Sequence, residues 1–519
     1  MSTGPAGGPD RRAVVAAVVL AAVVASAAAL AGLGARATYG ARTSGDEPYY
    51  LLTADSLASD GDLDIADELA AEVYAPYHEI PVDPQTTPLP GGAHLSPHDP
   101  LLPLVLAPAM GVGGWVAAKG VLALLAGLTA ALTAWLAIRR LRVRPGTAGW
   151  VTAGSFAGMP LAPYGTQVYP EVPAALAVLV VVAAVSTMAS RRSAVAPGVA
   201  GPAVLAVAGV VVLPWLSVKY VPVAAVLAAL AAWRLWRGGH RRVLGWSAAG
   251  LVLAGVTYLV AHQVVYGGWT VYAAGDHFVD SGELSVVGVD PDHVGRARRL
   301  VGLLVDRAFG IGVWHPAWLV APAAVAWLVA RRDQPDRWLV VAPLAVGWLV
   351  ATFVALTMHG WWVPGRQVVV VLPLAALALC GLVDRHRAIA VAVAAGVVAG
   401  VVNWLWLAVE ASTGARTLIV DFAETSAPPY RLLAVLAPDG LAGGMVADVV
   451  RAAWAVLLAA TAVLAIRAAR RYADPARATV SVDPSGGRAY RHTGPGRATV
   501  SVDPSGGPAY RHTDGEGVR

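Results

Sequence analysis

The sequence predicts an all-α polytopic membrane protein with about twelve transmembrane helices, on three observations. Apolar residues make up 57% of the 519 residues and charged residues only 14%, a composition that leaves a soluble protein with nowhere to hide its apolar surface. Several apolar runs reach the roughly 18–20 residues that cross a bilayer. Arginine supplies nearly all of the positive charge, since lysine occurs only at Lys119 and Lys219. The arginines gather at alternate connections between the apolar runs, as positive charge on the cytoplasmic side requires.

Taken in order, the expected spans are 12–34, 114–138, 147–163, 167–189, 195–213, 216–236, 243–265, 311–330, 338–358, 366–383, 387–409 and 446–468. Arg11 and Arg12 precede the first. That run also fits a signal peptide, but it is longer than a usual signal core, so a retained span is favoured. The run 100–112 is apolar but carries Pro100, Pro103 and Pro108. It reads as an interfacial or re-entrant piece, too short and too broken to span. The groups Arg139/Arg140/Arg142/Arg144, Arg191/Arg192, Arg234/Arg237/Arg241/Arg242, Arg331/Arg332/Arg337, Arg385/Arg387 and Arg467/Arg470/Arg471 then share the side of the N-terminus. This expectation puts residues 1–11 and 469–519 in the cytoplasm and the loops 35–99, 266–310 and 410–445 outside the cell.

The tail is of a different kind from the membrane part, 12–468. Its stretch Arg477 to Thr493 recurs as Arg497 to Thr513, with Pro508 where the first copy has Arg488, an offset of 20 residues. Its Gly, Pro, Ser and Arg content cannot build a core, so a disordered tail is expected. The basic residues are scattered, which argues against nucleic-acid binding despite the net charge of +5. The single cysteine, Cys380, excludes an intramolecular disulfide and a cysteine-built metal site.

The first loop opens on Ser44-Gly45-Asp46-Glu47-Pro48-Tyr49-Tyr50. Two adjacent carboxylates beside a membrane are costly without a partner or a task. Asp46 and Pro48 also suit the start of a short helix, with Asp46 as its cap. Most other unusual polar residues of the apolar region fall on the same expected side: His94, His98, Asp99, Glu171, Lys219, Tyr220, Tyr266, Asp276, His277, Asp306, Arg307, His315, His359, Trp361, Trp362 and Arg366. Together they imply one polar, aromatic-lined external site. Glu171 follows Pro170 and is either a cap or a site carboxylate. Arg307 and Arg366 suit a phosphate headgroup or serve as interfacial anchors. Trp361 and Trp362 suit the interfacial belt or a sugar face. Arg296, Arg298 and Arg299 run against the charge trend, which a lipid-phosphate contact or an external amphipathic helix would each explain.

At these residues the chain resembles the GT-C glycosyltransferases, in particular the bacterial branch related to protein O-mannosyltransferases and lipid A sugar transferases. Ser44 to Tyr50 resembles that family's acidic motif after the first span. Ser96-Pro97-His98-Asp99-Pro100-Leu101-Leu102-Pro103-Leu104 resembles its His-Pro-Pro-Leu-Tyr element, with Asp99 at the first proline and Leu102 at the tyrosine. Tyr169-Pro170-Glu171 resembles the start of its fourth span. The likeness runs over roughly residues 10–410. It implies a GT-C-like fold, a polyprenyl-phosphate-linked sugar as donor, and an envelope glycan, lipid or protein as acceptor at the outer face of the cell membrane. It also implies Asp46 as the catalytic carboxylate, with Glu47 as a second acid or a group beside a metal. Some relatives need a divalent cation, and no residue pattern here decides that. His98, Asp99, Glu171, Lys219, Arg307, Trp362 and Arg366 are the expected substrate-binding residues. The rival expectations are a twelve-span secondary transporter, which would show two similar halves and midplane polar sites, and a non-catalytic membrane protein of envelope assembly.

Overall fold

The computed structural model describes residues 10–189 and 198–473, with two short strands beyond them. Arg191/Arg192 and most of the repeated tail lie outside the described residues. Beyond residue 473, only Val480–Val482 and Ala489–Arg491 are described, as an antiparallel pair.

The chain is a multi-pass helical membrane protein. Eight described helices are long and apolar enough to cross a bilayer, among them Arg11–Leu30, Leu101–Arg140, Glu171–Met188, Val218–Arg237 and Arg241–Ala274. Three shorter apolar helices, Ala200–Leu216, Pro316–Ala330 and Leu372–Val383, join them. The expected span 147–163 is instead two short helices, Pro145–Phe156 and Leu161–Tyr164, on either side of a turn with a cis Met159–Pro160 bond. Such short pieces are tolerated at membrane depth where protein, not lipid, surrounds them. Residues 147–149 and 151–164 are all buried.

In chain order, α1 is Arg11–Leu30, α2 Glu47–Ser59, α3 Ala66–Ala70, α4 Leu101–Arg140, α5 Pro145–Phe156, α6 Leu161–Tyr164, α7 Glu171–Ala189, α8 Ala200–Leu216, α9 Val221–Arg237 and α10 Arg241–Tyr266. The run 100–112 forms a short helix of its own. Pro100 sits at the N-cap position and Pro103 in the first turn, where a missing N–H costs little. Pro108 lies within it, and non-helical Gly113 and Gly114 kink the chain before the second span.

Helix α1 packs on α4 and α5, and α7 on α4, α8 and α9. The buried face of α1 is almost all alanine (Ala17, Ala21, Ala25, Ala28, Ala29), which lets helix backbones approach closely. In contrast, α10 exposes Val252, Leu253, Val260 and Val264, the face expected of a helix against lipid. The long first loop is ordered by α2, α3 and isolated bridges that pair Ala41 with His78, Asp64 with Leu95 and Thr86 with Gly275. The last bridge ties it to the segment after α10.

The Arg387–Thr413 helix packs tightly on Pro316–Val320. A Cβ at Gly396 would lie 2.5 Å from the Ala317 nitrogen, and one at Gly400 2.5 Å from the His315 ring. Gly400→Val should therefore cost about 1–3 kcal/mol through overpacking. Thermal unfolding in detergent checks this, with a melting temperature several degrees below wild type expected.

Candidate functional site

Four ionic side chains from distant parts of the chain meet at one end of the bundle. Asp46 precedes α2, Glu171 opens α7, Lys219 lies in the turn before α9, and Arg366 follows the Pro364-Gly365 turn. Arg366 donates from Nη2 to Asp46 Oδ2 at 2.6 Å and from Nε to Glu171 Oε1 at 3.0 Å. Lys219 Nζ donates to that same Glu171 oxygen at 2.7 Å. The guanidinium carbon lies 3.9 Å from the centre of the Tyr169 ring and 5.3 Å from that of Trp362, within cation–π range.

The turn that aims Arg366 is sterically enforced. Gly365 has φ +91°, and a Cβ there would meet Ile311 at 2.6 Å and Pro160 at 2.8 Å. The preceding Val363 carbonyl accepts from the Tyr164 hydroxyl at 2.8 Å. The arginine thus leaves a backbone that has one way to run.

Asp46 occupies the N-cap position of α2 but makes no side-chain cap bond, so the expectation of a helix cap is corrected. Burial alone would raise its carboxyl, but Arg366, aided by His98 and Lys219, holds it down at about 2. Glu47 is fully buried, and its two oxygens accept from the Ser44 N–H at 3.1 Å and the Val168 N–H at 2.8 Å. Burial pushes its carboxyl up against the pull of Lys119 and these amides. Glu47 fastens α2 to the segment before α7 and does not face the cavity.

That cavity, about 570 Å³, is lined by Asp46, Tyr50, Gln85, His98, Lys219, Tyr272, His277, Trp362 and Arg366, with a mostly apolar remainder that includes Ser217, Thr357 and Gln367. Glu171 sits behind the two cations. One ring nitrogen of His98, Nε2, is 3.0 Å from Gln85 Oε1, and the ring stacks on Tyr50 at 4.8 Å between centroids. Burial lowers the imidazole below its usual value, with Asp46 opposing. A second cavity of about 470 Å³, almost wholly apolar, runs between α8, α9 and α10 and shares Val218 and Val221 with the first.

No family model and no curated protein matches the chain. Two solved structures resemble it. The crystal structure of ArnT from Cupriavidus metallidurans bound to undecaprenyl phosphate aligns at a TM-score of 0.49 and 15% identity, over 89% of this chain and 78% of that one. The Archaeoglobus fulgidus oligosaccharyltransferase in the apo form aligns at 0.36 and 15% identity, over 80% of this chain and 55% of that one. At this identity the likeness concerns the fold alone.

The structure does not gather every expected residue at this site. Asp99 is buried outside the lining and accepts from the Val218 N–H at 3.2 Å and the Tyr258 hydroxyl at 3.1 Å. Its acceptor sites serve the scaffold, holding the backbone next to Lys219. Arg307 donates to Asp439 at 3.0 Å and to the Ala434 carbonyl at 3.1 Å, and it does not line the cavity. Asp306 accepts from the N–H groups of Ala308, Phe309 and Gly440, and His359 lies against it. His315 is buried near the Gly154 carbonyl. The expectation of one site for all these residues is corrected, because the second group bonds among itself. Arg296 and Arg299 donate to backbone carbonyls of 353–356 and 287. Tyr50, Gln85, Tyr272 and Gln367, which the expectations did not single out for the site, do line it. Gln85 and Tyr272 lie in segments with no motif.

The cavity does not suit a divalent cation. Asp46 is its only carboxylate among the described lining residues, and Arg366 already holds it.

Arg366→Gln leaves Asp46 and Glu171 with Lys219 alone. Breaking one side of a buried ion pair costs about 3–5 kcal/mol. Asp46 is stabilising above its ordinary range near 3.8, and that contribution fades as pH falls towards 2. The melting-temperature deficit of Arg366→Gln should therefore be largest at neutral pH and shrink below pH 4. Adding Asp46→Asn should recover part of it. Thermal unfolding across pH checks both.

Proposed function

We propose that this chain is a GT-C-type membrane glycosyltransferase that moves a sugar from a polyprenyl-phosphate donor to an envelope acceptor at the outer face. The observation that carries the reading is the pair of cations, Arg366 and Lys219, set beside the Asp46 carboxylate in a cavity that shares Val218 and Val221 with an apolar groove. Such a site is shaped for a ligand with an anionic head and a hydrocarbon tail. The groove between α8, α9 and α10 takes the first isoprene units, and the phosphate lies against the guanidinium.

The outer-face assignment rests on the helix directions. Asp46 lies after the end of α1 that is far from Arg11 and Arg12. Lys219 lies at the end of α9 opposite Arg234 and Arg237. Arg366 precedes the Leu372–Val383 helix, and Arg385 follows it.

In the proposed reaction the acceptor hydroxyl gives its proton to Asp46 while its oxygen attacks the anomeric carbon. The bond from that carbon to the phosphate oxygen breaks on the opposite face, and its electron pair leaves with the polyprenyl phosphate, inverting the centre. A carboxylate held at about 2 is a weak base. The donor phosphate competes for Arg366, and as the guanidinium turns to it, burial raises Asp46 towards useful basicity. Arg366 then stabilises the leaving phosphate, where charge grows in the transition state. Trp362 offers a face to the sugar, and His98 with Gln85 offers polar edges.

The test is sugar transfer by Asp46→Asn, assayed with a radiolabelled polyprenyl-phosphate sugar. A loss of about 10²-fold or more in kcat is expected, with expression and donor binding kept. Undiminished transfer would remove the proposed base. Arg307→Gln, outside the cavity, should keep transfer within about twofold of wild type, since surface pairs of this kind contribute little.

A further inference from the structure

A second acidic group lies in the first loop, at the far end of α2 from Asp46. The helix has 13 residues, so at 1.5 Å per residue about 20 Å separate the two. The stretch Asp60-Gly61-Asp62-Leu63-Asp64-Ile65-Ala66-Asp67-Glu68 holds five carboxylates and no basic residue. Three of the five make local hydrogen bonds, and Asp60 makes the least, its Oδ2 accepting from the Ser59 hydroxyl at 3.2 Å. Asp62 Oδ1 accepts from the Asp64 N–H at 2.9 Å and the Ser56 hydroxyl at 3.0 Å. Asp64 Oδ1 accepts from the His94 N–H at 2.8 Å and the Ala66 N–H at 3.1 Å.

Asp60, Asp67 and Glu68 place one carboxylate oxygen each within 4.8 Å of one another. Asp60 and Asp67 are exposed, but Glu68 is only 4% exposed. Both of its oxygens are shut off from solvent, and neither has a hydrogen-bond partner. No ion pair to any of the three occurs among the described residues. Burying a carboxylate with no donor or counter-charge is expensive, and here it is aimed at two further carboxylates. Burial, with Asp67 beside it, pushes the Glu68 carboxyl up to about 7, and a cation would relieve the same crowding of carboxylates.

We propose that Asp60, Asp67 and Glu68 form a binding site for a divalent cation of the calcium type. Calcium–oxygen bonds of about 2.3–2.6 Å allow ligand oxygens up to roughly 5 Å apart, whereas magnesium at about 2.0–2.1 Å closes them to about 4.2 Å. Three carboxylates with water completing the shell make a site of modest affinity, on the order of 10⁻⁴–10⁻³ M. The ion would join the end of α2 to α3. The same loop is tied through Ile65 and Asp64 to the backbone of His94, four residues before His98 (94 to 98). The site is separate from the cavity and from the proposed transfer reaction.

The experiment uses the full chain in lipid nanodiscs, stripped with chelator and titrated with CaCl2 or MgCl2 at matched ionic strength. Wild type should bind one calcium ion saturably by radiocalcium equilibrium dialysis, and its melting temperature should rise by a few degrees. Asp60→Asn with Asp67→Asn, both exposed positions, should weaken calcium at least tenfold. Glu68→Gln should melt higher than wild type in chelator and lose the calcium response. Absence of saturable calcium binding, an undiminished response in the double variant, or an equal response to magnesium would each overturn the proposal.

Discussion

The architecture of the candidate site depends on one constraint: Arg366 cannot be buried in an apolar bundle without anions beside it. Taking a guanidinium out of water costs several kcal/mol unless carboxylates and aromatic faces replace the water. Asp46 and Glu171 supply the charge, and Tyr169 and Trp362 supply the faces. They come from three segments, so the cation draws together the start of α2, the start of α7 and the loop before the Leu372–Val383 helix. Lys219 brings in the start of α9 by sharing the same Glu171 oxygen. Two cations and two anions balance at the bottom of the cavity.

A second layer of buried polar groups keeps this quartet in place without entering the cavity. Glu47 locks the start of α2 to Val168, two residues before Pro170. Asp99 grips the Val218 amide and Tyr258, fixing the turn that carries Lys219. Both are almost fully buried, with oxygens taken up by protein donors. Neighbours in sequence therefore have opposite tasks: Asp46 faces the cavity while Glu47 is turned into the scaffold, and His98 lines the cavity while Asp99 lies behind it. On a helix start or a tight turn, successive side chains point in different directions.

Much of the fold was legible in the chain because membrane burial writes itself into composition. Runs without charge located the helices, and arginine groups marked one set of helix ends. Where proline and glycine interrupt those runs, as at 147–163, length was a poor guide. A helix packed within protein can be short. At the site, Asp46, His98, Lys219, Trp362 and Arg366 were found from their chemistry beside the membrane. Arg307, by the same chemistry, was expected there and is paired with Asp439 instead. An arginine's neighbours across the fold are not visible in its local sequence.

The sequence by itself determined that the protein is helical and multi-pass, and that its uncommon charges cluster at helix ends, since each of these follows from the free energy of placing a residue in lipid or water. Only the tertiary structure decided which charges meet. Asp46 and Arg366 are 320 residues apart, and a contact over that separation depends on helix packing, on the Gly365 turn and on the bulk of Tyr164 and Tyr169. The acidic dipeptide was visible as an anomaly; that its first member faces a cavity and its second a pair of backbone amides depends on that packing, because the direction of a side chain is set by the neighbours that enclose it.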